Sequence, residues 1–84
     1  MNYNVGEYIP SLHCESFVDS STGRIRVRPL SGQGIPTTLV IECSKEEREK
    51  HPVGTIFVTD DVKVCIKPDG RPYLRARNQK IYKI

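Results

Sequence analysis

Arginine alternates with apolar residues in two short segments of this chain. The first segment is residues 24–28 (RIRVR), and the second is residues 72–77 (PYLRAR). Consecutive side chains of a strand point to opposite faces, so each segment as a strand has one apolar face and one face that carries guanidinium groups. Clustered positive charge on a sheet face attracts polyanions. We therefore interpret both segments as candidate binding surfaces.

The residue types in these segments favour a nucleic acid as the polyanion. Lysine and arginine bind phosphates whatever the base sequence, and proteins that bind single strands add aromatic rings on which bases stack. Tyr73 shares a face with Arg75 and Arg77, and two lysines precede them in the same third of the chain. The candidate nucleic-acid-binding residues are Arg24, Arg26, Arg28, Lys63, Lys67, Tyr73, Arg75 and Arg77.

The same arginines have a purely structural interpretation, which the sequence leaves open. They can cover an exposed sheet face, pair with carboxylates on neighbouring strands, and protect sheet edges from aggregation. Glu15, Glu42 and Asp19 are the expected carboxylate partners.

Positive charge is concentrated in the last part of the chain. The formal net charge is only +3, but residues 62–84 contain seven basic residues and one acid, whereas residues 1–61 contain six basic and nine acidic residues. An asymmetry of this kind favours a polyanionic partner, here a single-stranded nucleic acid or an acidic protein. The alternative, which the sequence leaves open, is that the charge serves only solubility.

Catalytic and metal chemistry find little support in the sequence. Cys14, Cys43 and Cys65 lie in apolar stretches without metal-ligand spacing, so we expect reduced thiols with no metal and no disulfide framework. His13 and Cys14 are adjacent and would point to opposite faces of a strand, so one does not readily activate the other. We expect no enzyme activity, no catalytic residues and no cofactor.

Length and composition indicate one small folded domain. The 84 residues are 37% hydrophobic and 27% charged, which is typical of a folded chain. We expect an N-terminal arm over residues 1–11 and a single domain over residues 12–84. The longest uncharged apolar run is residues 38–41, far short of the roughly 20 residues that cross a bilayer. Without a signal peptide, we expect a cytoplasmic protein with no membrane partner.

Alternation and turn signals predict a series of strands. Turns are indicated at Asp19–Gly23, at Asp60–Asp61 and at Pro68–Gly70, the last being the strongest hairpin signal. Residues 37–43, rich in β-branched side chains, are the best strand pattern. The predicted strands are residues 12–18, 24–28, 37–43, 54–59, 62–67 and 73–77, with a further short edge strand over 81–84.

One short helix is predicted near residues 45–51. Ser44 and Glu47 match a capping box, and Pro52 limits the helix to about His51. Residues 45–51 contain no apolar side chain, so the helix must lie on the surface with its charges in solvent.

The order of the elements resembles the oligonucleotide- and oligosaccharide-binding (OB) barrel, in which a helix lies between the third and fourth strands. The resemblance is topological and covers roughly residues 12–77; an SH3-like barrel fits the pattern nearly as well. We therefore expect a mainly β fold, a small antiparallel β-barrel of five to six strands, OB-like or SH3-like, with one short surface helix.

These observations together favour a small non-enzymatic binding domain, with single-stranded nucleic acid as the partner. The alternative is a protein–protein interaction module or a homo-oligomerising structural domain, in which exposed strand edges dock a partner. The dependence of binding on salt distinguishes the two hypotheses. The affinity for a nucleic acid falls steeply as the salt concentration rises, whereas the affinity of an apolar protein interface does not.

Overall fold

The structure, a computed structural model, describes residues 2–84; Met1, the first residue of the predicted arm, lies outside the described residues. Eight short strands and one α-helix account for most of the regular structure, and a single 3₁₀ turn at Arg77–Gln79 precedes the last strand. In chain order the elements are β1 Tyr8–Ile9, β2 His13–Val18, β3 Ile25–Pro29, β4 Ile41–Glu42, α1 Lys45–Glu49, β5 Ile56–Thr59, β6 Val62–Ile66, β7 Pro72–Ala76 and β8 Ile81–Lys83.

The strands form two four-stranded sheets. The first sheet has the order β1-β6-β7-β4 and the second the order β3-β2-β5-β8. All pairs are antiparallel except β4 with β7. The predicted mainly β class with one short helix is confirmed. Eight strands exceed the predicted five to six, and no ladder within residues 2–84 closes the two sheets into one barrel.

The hydrophobic core lies between the inner faces of the two sheets. Val64 and Leu74 of the first sheet and Val27 and Phe57 of the second are almost fully buried. The residues that alternate with them point outward, as the strand period requires. A domain of this size buries only about 60% of its unfolded surface, so these few side chains carry much of the stability.

Part of the predicted N-terminal arm joins the first sheet. Tyr8 and Ile9 pair with β6, and Ile9 is only 4% exposed. Two further backbone hydrogen bonds, from the amide of Gly6 to the carbonyl of Val64 and from the amide of Val64 to the carbonyl of Glu7, extend the contact. The arm therefore forms an edge of the sheet from residue 6 onward.

The strand prediction for residues 37–43 was mostly wrong. Only Ile41 and Glu42 form a strand, and they pair in parallel with β7. Leu39 belongs to a loop, and its side chain is buried. Its amide donates a hydrogen bond to the carbonyl of Pro36. The apolar residues Leu39, Ile41 and Cys43 of this run are buried although most of it forms no ladder, because this segment connects the edge of one sheet to the edge of the other.

The predicted turns are confirmed, and one of them has a larger role. The amide of Gly70 donates to the carbonyl of Lys67 at 2.8 Å, and Gly70 has a φ of +90°, which glycine adopts without strain. Asp60 and Asp61 separate β5 from β6, and these strands belong to different sheets. This turn is therefore the corner at which the chain passes from the second sheet to the first.

The helix is shorter than predicted but begins where the capping pattern placed it. It covers Lys45–Glu49, and the Ser44 hydroxyl accepts a hydrogen bond from the amide of Glu47 at 3.2 Å. The helix contains no buried residue. No helix in residues 2–84 has the length and apolar character needed to cross a membrane.

Replacing a buried leucine tests the two-sheet core. Leu74→Ala is expected to lower the free energy of unfolding by about 2–5 kcal/mol, a large part of the roughly 4–13 kcal/mol typical of a domain of this length. Ile66→Ala on neighbouring β6, where the side chain is 51% exposed, is the control and should cost less than about 1 kcal/mol. Urea denaturation measures both. Equal losses would contradict the placement of the core.

Candidate nucleic-acid interface

The outward face of the first sheet carries a row of polar and charged side chains. Tyr8 lies opposite Lys63, Lys63 opposite Arg75, and Arg75 opposite Glu42. Tyr73 points to the same side two residues before Arg75 because side chains alternate along β7. We call this surface the basic face; its members are Tyr8, Lys63, Lys67, Tyr73, Arg75 and Arg77.

Three cations of the basic face line one hollow. Lys63, Arg75 and Arg77 surround a depression of about 310 Å³ that Tyr8 also borders, and none of the described residues lining it is a carboxylate. The arrangement follows from the register, since β6 and β7 are paired throughout their length. The hollow therefore concentrates positive charge at one end of the first sheet.

Both arginines of the hollow, Arg75 and Arg77, have carboxylate partners at its rim. Arg77 Nε lies 2.6 Å from Asp61 Oδ1, and Arg75 Nε lies 3.6 Å from Glu42 Oε1. The hydrogen bond from Arg77 lowers the pKa of Asp61. Lys63 takes part in no ion pair among residues 2–84. Exposed ion pairs contribute only about 0.2–1 kcal/mol, so they leave these guanidinium groups accessible to another anion.

Tyr73 is held between two cations. Arg75 Nη2 donates a hydrogen bond to Tyr73 Oη at 3.1 Å, and Lys67 Nζ lies 5.7 Å from the centroid of the Tyr73 ring. The ring is half-buried. An aromatic ring next to positive charge on an open sheet face is the arrangement that single-strand binders use for base stacking.

The arginines of residues 24–28 lie on the other sheet, and two of them have carboxylate partners. Arg26 Nε lies 3.0 Å from Asp19 Oδ2 and Arg28 Nε lies 3.1 Å from Glu15 Oε1. The guanidinium of Arg28 also lies 4.4 Å from the centroid of the Phe17 ring, within the range of a cation–π contact. These contacts match the structural interpretation of this segment, in which arginines pair across strands.

A groove of about 420 Å³ brings the two arginine-containing segments together. It lies where β3 of the second sheet packs beside β4, the neighbour of β7 in the first sheet. Arg26 of the first segment and Tyr73 of the second both line it. Its cations are Arg26, Arg48, Lys67 and Arg71, and its carboxylates are Asp19 and Glu42.

The structure divides the eight predicted residues among three places. Arg26, Lys67 and Tyr73 line the groove, and Lys63, Arg75 and Arg77 line the hollow. Arg24 and Arg28 line neither; Arg28 lies on the outer face of the second sheet, and Arg24 immediately precedes β3. The hydrogen bond between Arg75 and Tyr73 links the hollow to the groove.

Arg48 and Arg71 line the groove but are not among the predicted binding residues. We expected the charges of the helix to lie in solvent, but Arg48 is half-buried. Its Nε donates to the carbonyl of Ile25 at 2.9 Å and its Nη1 to the carbonyl of Cys43 at 2.7 Å. Arg48 thus joins α1 to the edge strand β3. A single arginine in an otherwise exposed helix gives no sequence signal for this contact.

The cysteines are free and two of them are buried. Burial raises the pKa of the Cys14 thiol to about 12 and raises that of Cys43 as well. Both thiols therefore stay protonated near neutral pH, and a protonated thiol is a poor nucleophile and metal ligand. Among residues 2–84, no group of three or more His, Cys, Asp or Glu is arranged to hold a metal ion.

No family model matches this chain, and searches of curated proteins and of solved structures returned no match. We therefore infer function from the positions and contacts of the side chains.

Shortening the Arg48 side chain tests its role as the link between helix and sheet. Arg48→Lys removes the planar group that reaches two carbonyls, so we expect a loss of about 1–3 kcal/mol in the free energy of unfolding. Lys45→Arg, an equally conservative change at an exposed site on the same helix, should stay within about 0.5 kcal/mol. Equal urea midpoints for the two variants would contradict this role.

The ion pair between Asp61 and Arg77, at the corner between the two sheets, predicts how the free energy of unfolding depends on pH. The folded state lowers the pKa of Asp61, so its contribution is present above the unfolded value and disappears as pH falls through the folded one. Asp61→Asn should therefore be less stable than the wild type at pH 7, and the difference should shrink below about pH 4. Urea denaturation across a pH series measures this. The control is Glu46→Gln, which changes an exposed helix residue. If the free energies of unfolding of Asp61→Asn and the wild type differed by the same amount at every pH, the pairing of Asp61 with Arg77 would be contradicted.

Proposed function

We propose that this protein is a small non-enzymatic domain that binds single-stranded or flexible nucleic acid without strong sequence preference, and that the basic face is the binding surface. The observation that carries the proposal is the hollow, which places Lys63, Arg75 and Arg77 together without a lining carboxylate, beside the exposed edge of Tyr73. Phosphates spaced along a strand can reach these cations in turn, while a base stacks on the ring.

A sheet face suits a flexible strand better than a duplex. The basic face is built from short strands and a two-residue edge strand, β1. The α-helix of residues 2–84 has only five residues and packs against β3 of the second sheet, so it does not offer this face a recognition helix for a major groove. Backbone phosphates and unpaired bases are the features of a nucleic acid that such a face can contact. This favours binding through backbone contacts and stacking.

We also keep the finer predictions as proposals. The position of α1 in the chain between β4, an edge strand of the first sheet, and β5 supports an open relative of the OB-like or SH3-like barrels, in which a sheet face binds the ligand. Three free cysteines support the proposal of a cytoplasmic location, where thiols stay reduced.

The outer face of the second sheet supports a second candidate, a protein–protein interaction module or a homo-oligomerising structural domain. Tyr82 and Ile84, at the edge formed by β8, are 44% and 64% exposed. Val58 lies opposite Tyr82 on the same face. Apolar side chains at a sheet edge are a common place for strand addition, whereas the basic face would serve an acidic protein.

The test of the nucleic-acid proposal is fluorescence anisotropy with labelled single-stranded oligonucleotides over a salt series. Arg75→Ala should weaken binding about equally for all base sequences and reduce the salt slope by roughly one unit. Arg24→Ala removes the same charge from a residue outside the hollow and the groove, so it should leave the slope nearly unchanged. Tyr73→Leu should cost on the order of 1–3 kcal/mol of binding free energy.

Two outcomes would sink the proposal. One is no binding at low salt, where attraction between a protein of net charge +3 and a polyanion is strongest. The other is an equal effect of Arg75→Ala and Arg24→Ala, which would show attraction to net charge alone. In either case the interaction-module candidate would lead.

A further inference from the structure

We propose that the groove binds the phosphate monoester of a nucleotide. Two sources have this chemistry: the terminal phosphate of a strand that lies on the basic face, and a free mononucleotide. Binding of the terminal phosphate of a nucleic-acid strand rests on the proposed function, whereas binding of a free mononucleotide depends only on the groove.

Some N–H groups of the groove cations form no hydrogen bond within the protein and can therefore donate to a ligand. Arg26 has one side-chain partner, Asp19, through Nε, and Arg48 uses Nε and Nη1 on carbonyls. Every buried side-chain nitrogen and oxygen of the described residues has a hydrogen-bond partner. The remaining amino groups of these half-buried arginines, which have none, must therefore face solvent. Within residues 2–84, Lys67 Nζ has neither a hydrogen bond nor an ion pair, and its neighbour is the Tyr73 ring.

The carboxylates of the groove are already engaged. Asp19 accepts hydrogen bonds from Arg26 and from the amide and hydroxyl of Ser21, and the Ser21 bonds are the main reason that its pKa is lowered. Glu42 pairs with Arg75, which faces the hollow. Asp19 thus holds Arg26 in place and Glu42 holds Arg75 in place. Because each carboxylate is partly neutralised by its partner, it repels a bound anion less.

The charge and size of the groove fit a monoester better than a passing diester. Four cations and two carboxylates line it. Two of these residues pair with a residue outside the lining, Arg71 with Asp69 and Glu42 with Arg75. With those partners included, five cations and three carboxylates are present, so positive charge exceeds negative charge by two. A phosphate monoester carries a charge of about −1.5 to −2 at neutral pH, whereas each internal phosphate of a strand carries one negative charge. The volume of about 420 Å³ lies within the 300–1,000 Å³ range of small-molecule sites.

Tyr73 connects this site to the basic face. Its ring lines the groove, and its hydroxyl accepts the hydrogen bond from Arg75 in the hollow. A strand whose internal phosphates occupy the hollow therefore reaches the groove by crossing Tyr73. A base stacked on Tyr73 would be followed by its terminal phosphate near Lys67.

The first arm of the test compares oligonucleotides of one sequence that carry a 5′-phosphate, a 3′-phosphate or hydroxyls at both ends, by competition against an internally labelled strand. One terminal phosphate should tighten binding about tenfold, the effect of one charge-assisted contact. Lys67→Ala should remove most of that preference. Lys80→Ala, an equal loss of charge at an exposed residue outside the groove, should preserve it.

The second arm titrates a nucleoside monophosphate and the matching nucleoside into isotope-labelled protein and follows backbone amide shifts by NMR. The monophosphate should shift the amides of Lys67 and Tyr73, and the nucleoside should not. If oligonucleotides bind equally with every end and the monophosphate causes no shift, the groove inference is overturned and the proposed function stands. If the monophosphate binds and no oligonucleotide does, the proposed function fails and the free nucleotide is the source.

Discussion

The burial of one face of each sheet against the other determines on which side the charged side chains of the strands lie. Leu74 and Phe57 are fully buried on the facing sides of the two sheets. Because the strand period is two, burying Leu74 turns Tyr73 and Arg75 outward, and a shift of register by one residue would exchange the two sets. The strand residues of the basic face, Tyr8, Lys63, Tyr73 and Arg75, therefore take their positions directly from the core.

The sequence predicted local elements well and their assembly poorly. The turn at Gly70, the capped start of the helix and the alternation of β7 are properties of a few neighbouring residues, so they could be predicted. The failure of the strand over residues 37–43 has a different cause. The apolar residues of this run indicate burial, and here a loop between the two sheets buries Leu39. That Asp60 and Asp61 form a corner between sheets depends on pairing partners far along the chain.

The candidate site shows the same division. Alternation correctly placed Arg26 and Arg75 on outward faces, and the expected carboxylate partners Asp19 and Glu42 are confirmed, but the sequence did not show which arginine pairs with which carboxylate. Those pairings depend on distances across strands and between sheets. The groove depends on them even more, because its walls come from both sheets and from Arg48 in the helix. No pattern within one segment of the chain contains that information.

The contacts of the cations give the two surfaces different physical characters. Arg75 and Arg77 pair with single carboxylates in exposed positions, and such pairs contribute only about 0.2–1 kcal/mol, so a phosphate can replace the carboxylate at little cost. In the groove, Arg48 donates to two backbone carbonyls, and breaking hydrogen bonds of a charged donor costs about 1.5–3 kcal/mol each. The arginines of the basic face can therefore rearrange around a flexible ligand, whereas Arg48 holds its wall of the groove in place. A preformed site loses less conformational entropy on binding, which favours the groove as the place where a ligand group is held in one orientation.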